Sequence, residues 1–175
     1  MALKRGIVEL ENHNKQWEED YQTEEKLLKK VLKDYLIEIH HVGSNSIPGL
    51  KAKPIIDILV VIKSLDDISK IEEILKNYDY SNRGQQGVSD RYFFAKGPEE
   101  ARTHYVDFVE PKSNTYYNLV YFKKYLIEHP KYIQEYCDLK ESLSKKYVNE
   151  RPKYTAGKNE IITKIIKMAK EEYND

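Results

Sequence analysis

The feature that most constrains the fold is an apolar run at residues 54–62, with the sequence Pro-Ile-Ile-Asp-Ile-Leu-Val-Val-Ile. Apolar, mostly β-branched side chains fill its consecutive positions, so both faces of an extended segment would be hydrophobic. Such a strand is stable in the middle of a sheet that has packed layers on each side. The run therefore predicts a central strand in which Asp57 is the one polar side chain.

The first part of the chain alternates between helix and strand patterns around this run. Apolar residues at helical spacing predict a helix that starts near Asn12 or Asn14 and runs to Tyr35. Alternating side chains predict a strand directly after it, at residues 36–42. A short helix is predicted from Ser64, because cap residues precede an apolar stripe there.

Three further strands and three helices are predicted in the remainder of the chain. The strands lie near residues 78–81, 91–95 and 103–109, and residues 96–98 link the last two as a hairpin. From Thr115 the pattern is helical, in segments that end at residue 129, span 132–147 and span 155–173. We therefore predict one α+β domain over residues 1–175 with α/β-like alternation: a mixed, helix-flanked sheet in residues 1–112 and a C-terminal helical annex in residues 113–175.

The composition narrows the cellular setting and the class of partner. The chain has 175 residues and a single cysteine, Cys137, which has no internal disulfide partner. No leader pattern or long apolar span is evident, so we expect a cytoplasmic protein with no membrane association. Lys plus Arg equals Asp plus Glu at 29 each, so there is no strong nucleic-acid signal.

Charge is nevertheless uneven along the chain. Residues 1–25 carry seven acidic against three basic side chains, and residues 140–170 carry nine basic against three acidic ones. Basic runs on helices are usually solvated faces. The same run is also compatible with attraction of phosphates or of a protein partner.

The turn that precedes the central strand is a candidate phosphate site. Gly43 has no Cβ to block close approach, and the hydroxyls of Ser44 and Ser46 and the nearby amides suit an anion. Lys53 is placed to meet a phosphate as a point charge. Taken alone, the Gly-Ser pair is equally compatible with an ordinary tight turn, and a lone lysine usually faces solvent.

Asp57 and two residues of the later strand are candidate catalytic or metal-binding groups. An unpaired carboxylate inside an apolar strand costs several kcal/mol, so Asp57 needs a cation, which is either a metal ion such as Mg²⁺ or a lysine or arginine. Asp107 is the candidate for a second metal carboxylate, and His104 for a ligand or general base. In a regular strand His104 and Asp107 point to opposite faces, so only one of them can face Asp57.

The whole chain resembles the GrpB family, also called UPF0157, which is assigned to the nucleotidyltransferase fold. The resemblance is carried by residues 40–60, Arg91-Tyr-Phe, Lys96-Gly97, Arg102-Thr-His104, residues 122–130 and residues 154–158. It implies that Gly43-Ser44 occupies the superfamily's phosphate-binding position and Asp57 that of the first metal carboxylate, with Mg²⁺ as cofactor. It also implies substrate contacts for the residues that lie in the matching motifs, which include His41, Arg91 and Lys158.

The chain departs from the pattern that the resemblance implies in three motifs. Nucleotidyltransferases typically carry Asp-x-Asp, but the second position here is Leu59. Family members often have further histidines where this chain has Tyr105 and Asp107, and their Phe-Arg-Asp is here Phe122-Lys-Lys. The second carboxylate of the metal site is therefore either missing or relocated to Asp107.

Three functional hypotheses follow from the sequence. The first is a nucleotidyltransferase-like protein that binds a nucleotide or phosphorylated metabolite and transfers a nucleotidyl group with Mg²⁺. The second is a catalytically inactive module that binds a nucleotide or a coenzyme A-related metabolite, since some relatives resemble domains fused to dephospho-coenzyme A kinases. The third is a protein-interaction module that uses the basic helices of residues 140–170.

Overall fold

The computed structural model describes residues 6–173, and its first helix, α1, spans Lys15–Val31. The side chain of Asn14 caps this helix by accepting a hydrogen bond from the backbone N–H of Trp17 at 3.2 Å. The buried stripe of α1 contains Trp17, Tyr21 and Leu28 and packs on the sheet. The helix ends before the predicted Tyr35, because the chain turns after Val31 to enter the first strand.

The sheet of the described residues is mixed and five-stranded, as the sequence predicts. Its strands in chain order are β1 (Leu36–Val42), β2 (Ile56–Ile62), β3 (Tyr80–Asn82), β4 (Arg91–Lys96) and β5 (His104–Val109). Their spatial order is β1-β2-β5-β4-β3. The β2–β5 pair is parallel and the other pairs are antiparallel, so the predicted hairpin of β4 and β5 is confirmed.

The apolar run forms the interior strand β2, and its two faces are buried in different layers. Ile58 and Val60 lie in one hydrophobic cluster with α1 and with helix α2, which spans Ile68–Leu75. Leu59 and Val61 lie in a second cluster with Val109 on the opposite face. The predicted two-sided burial is therefore confirmed, and Asp57 belongs to the face of Leu59 and Val61.

The helical annex consists of α3 (Asn114–Glu128), α4 (Lys131–Lys146), α5 (Arg151–Gly157) and α6 (Asn159–Tyr173). The helix predicted at residues 155–173 thus corresponds to the end of α5 and the whole of α6. The chain turns at Lys158, whose backbone N–H caps α5. No helix among residues 6–173 is long and apolar enough to cross a membrane.

A hydrophobic cluster ties the annex to the sheet half. Phe122, Tyr136 and Ile165, from three different annex helices, pack with Ile47 and Leu50. The last two belong to the loop between β1 and β2. The annex is therefore anchored on the segment that carries the Gly-Ser turn.

We expect Ile58→Ala to lower the free energy of unfolding by about 2 to 5 kcal/mol, because it removes a large buried side chain at the centre of β2. Ile37→Ala is the matched control, since Ile37 on β1 is 45% exposed and its truncation should cost well under 1 kcal/mol. Urea denaturation of both variants measures the difference. Equal losses would contradict the assignment of Ile58 to the core.

Candidate functional site

A cavity of about 230 Å³ lies between the Asp57 face of the sheet and the annex helices. The turn before β2, the segment that leads into β2, strand β5 and helices α3, α4 and α6 all contribute to its wall. Its polar lining includes Ser44, Lys53, Asp57, Asn118, Lys140 and Lys158. The structure thus brings Gly43, Ser44, Lys53, Asp57 and Lys158, five of the residues predicted from the sequence, into one place.

Gly43 lies directly against the carboxylate of Asp57. A Cβ added to Gly43 would be 2.5 Å from Asp57 Oδ2, and the glycine has φ +75°. Both the close approach and the left-handed backbone require glycine. The turn and the carboxylate therefore form one packed unit.

The two serines of the turn have different positions. Ser44 lines the cavity and hydrogen-bonds the side chain of Tyr136 from α4. Ser46 is buried, and its Oγ donates to the carbonyl oxygen of Gly43 at 2.6 Å. Ser44 is available for a ligand at this site, whereas the hydroxyl of Ser46 stabilises the turn.

Burial raises the pKa of Asp57 to about 6. The lysines Lys53, Lys158 and Lys140 oppose this shift, and the negative charge of Asp107 adds to it. No hydrogen bond is found for the Asp57 carboxylate within residues 6–173. Asp57 therefore ionises near neutral pH in a cavity that carries more potential positive than negative charge.

The three lysines of the cavity come from separate parts of the chain. Burial lowers the pKa of each, to about 7 for Lys158 and well below the usual range for Lys140. Repulsion among the lysines lowers the pKa of Lys140 and Lys158 further, and Asp57 acts in the opposite direction on all three. The cavity holds more amines than its single carboxylate can neutralise.

Aromatic and amide groups complete the polar part of the site. The Nζ of Lys158 lies 4.6 Å from the ring centroid of Tyr154, and that of Lys53 lies 5.8 Å from the same ring. The Nζ of Lys140 donates to the carbonyl oxygen of Lys51. Asn118 Oδ1 is buried without a hydrogen-bond partner in the described chain.

Asp107 lies on the same face of the sheet as Asp57 but is not part of the cavity wall. In the parallel pair of β2 and β5, Asp57 is opposite Tyr105 and Asp107 is opposite Leu59. Arg91, predicted to bind substrate, instead donates to Asp107 Oδ1 at 2.8 Å. Burial raises the pKa of Asp107 and Arg91 counteracts it.

These contacts do not fit the predicted two-carboxylate Mg²⁺ site. A cation between Asp57 and Asp107 would displace Arg91 and face the cavity lysines. Among residues 6–173, the single group of three potential ligands within 4.8 Å of one another is Glu128, His129 and Glu172 at the surface. That group lies outside the cavity wall.

His104 is on the opposite face of the sheet from Asp57. It pairs with Ile56 in β2, and its Nε2 lies 3.8 Å from Glu24 of α1. Burial lowers its pKa to about 4. The structure does not bring His104 together with the other predicted catalytic residues.

His41 also lies on the α1 side of the sheet. Its ring stacks on Tyr21 with centroids 4.5 Å apart, and its Nε2 hydrogen-bonds Asn45 Oδ1 at 2.7 Å. The side chain of Asn45 donates in turn to the carbonyl oxygen of Ile55. His41 therefore supports the turn from the α1 side of the sheet and is not part of the cavity wall.

Sequence reasoning missed the contributions of α3 and α4. Lys140 is 2% exposed. The sequence pattern that indicates its burial is its helical spacing, three residues after Cys137 and four after Tyr136, which places it on the buried stripe of α4. A lysine on an apolar helical stripe indicates a buried amine with a specific partner. Asn118 gave no comparable signal, because polar residues are common on partly buried helices.

The fold and the site define a class: mixed α+β proteins whose lysine-lined cavity lies between the sheet and C-terminal helices. A family model described as GrpB protein matches residues 7–168, so the chain belongs to the GrpB family. The UPF0157 protein YqkA of Bacillus subtilis is 36% identical over 155 residues, which are 89% of this chain and 45% of YqkA. The chain thus spans less than half the length of that relative.

Two other relatives match nearly the whole chain. The glutamate-rich protein GrpB of Alkalihalophilus pseudofirmus is 31% identical, over 95% of this chain and 98% of its own. A crystal structure of the conserved protein GrpB from Enterococcus faecalis superposes with a TM-score of 0.89 at 30% identity, covering 95% of this chain and 100% of that one. The mixed α+β architecture therefore has a crystallographic counterpart within the family.

We expect Gly43→Ala to destabilise the protein more than Gly49→Ala. Both glycines have positive φ, at +75° and +83°, but a Cβ at Gly49 meets nothing within 4 Å. The positive φ costs each variant about 1 to 3 kcal/mol, and the contact with Asp57 adds about 1 to 3 kcal/mol at Gly43 alone. Thermal unfolding of the two variants measures this difference, and equal shifts in Tm would refute the close approach.

Proposed function

We propose that the protein binds a small phosphorylated molecule, either a nucleotide or a phosphorylated metabolite, in the cavity beside Asp57. The observation that carries this proposal is the convergence of Lys53, Lys140 and Lys158 on the turn of Gly43 and Ser44. A phosphate group placed among these amines would receive charge-assisted hydrogen bonds in a partly desolvated setting.

The electrostatics of the cavity favour an anionic ligand. The lysines repel one another, which opposes the charged state of each amine. A bound dianion reverses this balance and raises the pKa values of the lysines that contact it, so that binding takes up protons. Asp57 offsets part of the repulsion in the free protein and leaves a surplus of basic groups for a ligand.

The apolar part of the cavity wall suits the organic part of such a ligand. Leu119, Phe122, Ile162 and Ile166 give it an apolar wall, and Asn118 Oδ1 offers an acceptor to a ligand hydroxyl or amine. The volume of about 230 Å³ is at the small end for ligand sites. It holds the phosphorylated end of a molecule, so most of a coenzyme A-related ligand would extend outside.

Nucleotidyl transfer with Mg²⁺ is less compatible with the observed contacts. The strand position of the second carboxylate is Leu59, and Asp107 is paired with Arg91. In such a reaction a metal ion would neutralise the negative charge of the phosphate groups. In this cavity the lysines would neutralise that charge. We therefore favour the second hypothesis, a binding module that recognises phosphate without a metal.

We expect calorimetric titration with inorganic phosphate, AMP and ATP to reveal binding of at least one ligand that is unaffected by Mg²⁺. Lys158→Gln and Lys140→Met should each weaken it about tenfold or more, since each removes a charge-assisted contact. Asp57→Asn should strengthen it, because the variant removes a negative charge from the site. Lys70→Gln is the control, with a lysine side chain 66% exposed on α2.

The same titrations separate the two mechanisms. Binding that requires Mg²⁺ and is lost in Asp57→Asn would overturn the metal-free proposal and support nucleotidyl transfer. Binding that survives both lysine substitutions unchanged would place the ligand elsewhere. Circular dichroism of each variant verifies that the fold is retained.

We expect the affinity for sulfate, a dianion of constant charge, to rise as the pH falls from 8 to 5. Lys158, with a pKa of about 7, gains a proton first, and Asp57, with a pKa of about 6, loses its negative charge next. Both changes favour an anion. In Asp57→Asn, the rise in affinity near pH 6 should be absent, as measured by calorimetry. An affinity of the unmodified protein that is flat between pH 8 and 5 would contradict this account.

A further inference from the structure

Lys158 differs from Lys140 in its surroundings and lies closer than Lys53 to an aromatic ring. Its Nζ lies over the Tyr154 ring, 4.6 Å from the centroid, and makes no hydrogen bond or ion pair within residues 6–173. Lys140, by contrast, is 2% exposed and donates to a backbone carbonyl. Lys53 and Lys158 both reach the cavity without an acceptor among residues 6–173, and Lys158 lies closer to the Tyr154 ring, at 4.6 Å against 5.8 Å.

The charged groups around Lys158 favour its neutral form. Burial, Lys53 and Arg151 lower its pKa to about 7, while Asp57 acts in the opposite direction. Tyr154, whose own pKa burial raises, presents an uncharged ring to the amine. A desolvated lysine beside other cations is the usual environment of amines that attack carbonyl groups.

We propose that Lys158 forms an imine with the carbonyl carbon of a small phosphorylated aldehyde or ketone bound in this cavity. The inference rests on the proposed function, because Lys53, Lys140 and the Gly43-Ser44 turn would hold the phosphate of the same molecule. It adds the chemical class of the ligand and a covalent step to reversible phosphate binding.

The step balances without a metal, an oxidant or a reductant. The lone pair of the neutral Nζ forms a bond to the carbonyl carbon, and the carbonyl π electrons move to oxygen, which takes up a proton. The resulting carbinolamine loses its hydroxyl group as water when a second proton reaches that oxygen and the nitrogen lone pair forms the C=N bond. The two protons lost from nitrogen equal the two gained by the departing oxygen.

Asp57 is the group in the cavity suited to carry these protons. Its pKa of about 6 allows both the acid and the carboxylate to be populated near neutral pH. It lines the same cavity as Lys158, and the two groups interact electrostatically. In this role Asp57 donates the proton that releases water and regains one from the nitrogen.

The test is reductive trapping on the full chain with D-glyceraldehyde 3-phosphate as the probe. After treatment with cyanoborohydride at pH 7.5, peptide mass spectrometry should locate one major adduct per chain, on Lys158. Unphosphorylated D-glyceraldehyde should label Lys158 at least tenfold less, and inorganic phosphate should compete with the phosphorylated probe.

Two lysine variants and one carboxylate variant make the outcome specific. Lys158→Arg should abolish the major adduct, whereas Lys153→Arg, whose lysine is 63% exposed on α5, should leave it unchanged. Asp57→Asn should slow adduct formation about tenfold or more while strengthening sulfate binding. Thermal melts verify that each variant folds.

The proposal fails if the label is spread over exposed lysines such as Lys153 with no excess on Lys158. It also fails if Lys158→Arg keeps the stoichiometry, or if the unphosphorylated aldehyde labels Lys158 equally. Sulfate titration of the same samples distinguishes a failure of the imine proposal from a failure of the proposed phosphate binding. Sulfate binding without the adduct overturns only the imine, whereas absence of both overturns the proposed function as well.

Discussion

The structure depends on the packing of one carboxylate, that of Asp57, inside the central strand. Its neighbours along the strand on that face, Leu59 and Val61, are buried and hydrophobic, and an unpaired charge there would cost several kcal/mol. Gly43 gives the carboxylate room, since any side chain at that position would collide with it. Lys53, four residues before it, and Lys140 and Lys158 of the annex offset its charge. The loop, the strand and the C-terminal helices are thus coupled through one group.

The sheet separates two polar systems with different roles. On the α1 side, Glu24 is 5% exposed and accepts hydrogen bonds from Tyr80 at 2.6 Å and from Lys96 at 2.8 Å. This cluster fastens α1 to the far strands, and His104 and His41 belong to the same side. On the annex side, the cavity lysines outnumber their acceptor. A paired network stabilises a fold, whereas an unbalanced one favours a charged ligand.

The sequence predicted the architecture well because the patterns that specify strands and helices are local. The two-sided apolar run, the helical stripes and the turn residues placed all five strands of the described chain within a few residues. Prediction of the site was less complete. The structure brings the Gly-Ser turn, Lys53, Asp57 and Lys158 together, whereas Arg91 pairs with Asp107, and His41 and His104 lie on the α1 side of the sheet. The pairing register and the choice of partner for each charge are not local properties.

The sequence by itself determined the central strand, the glycine turn before it and the isolation of Asp57 among apolar neighbours, because each follows from residue types at adjacent positions. It also determined that the next position on the same face of the strand is a leucine, Leu59, and not a second carboxylate. Only the tertiary structure decided what neutralises Asp57. Lys140 is more than 80 positions away in the sequence, and helix packing rather than any motif brings it to the cavity. The charge balance of a buried site is a sum over segments that meet only after folding, so no single stretch of the sequence specifies it.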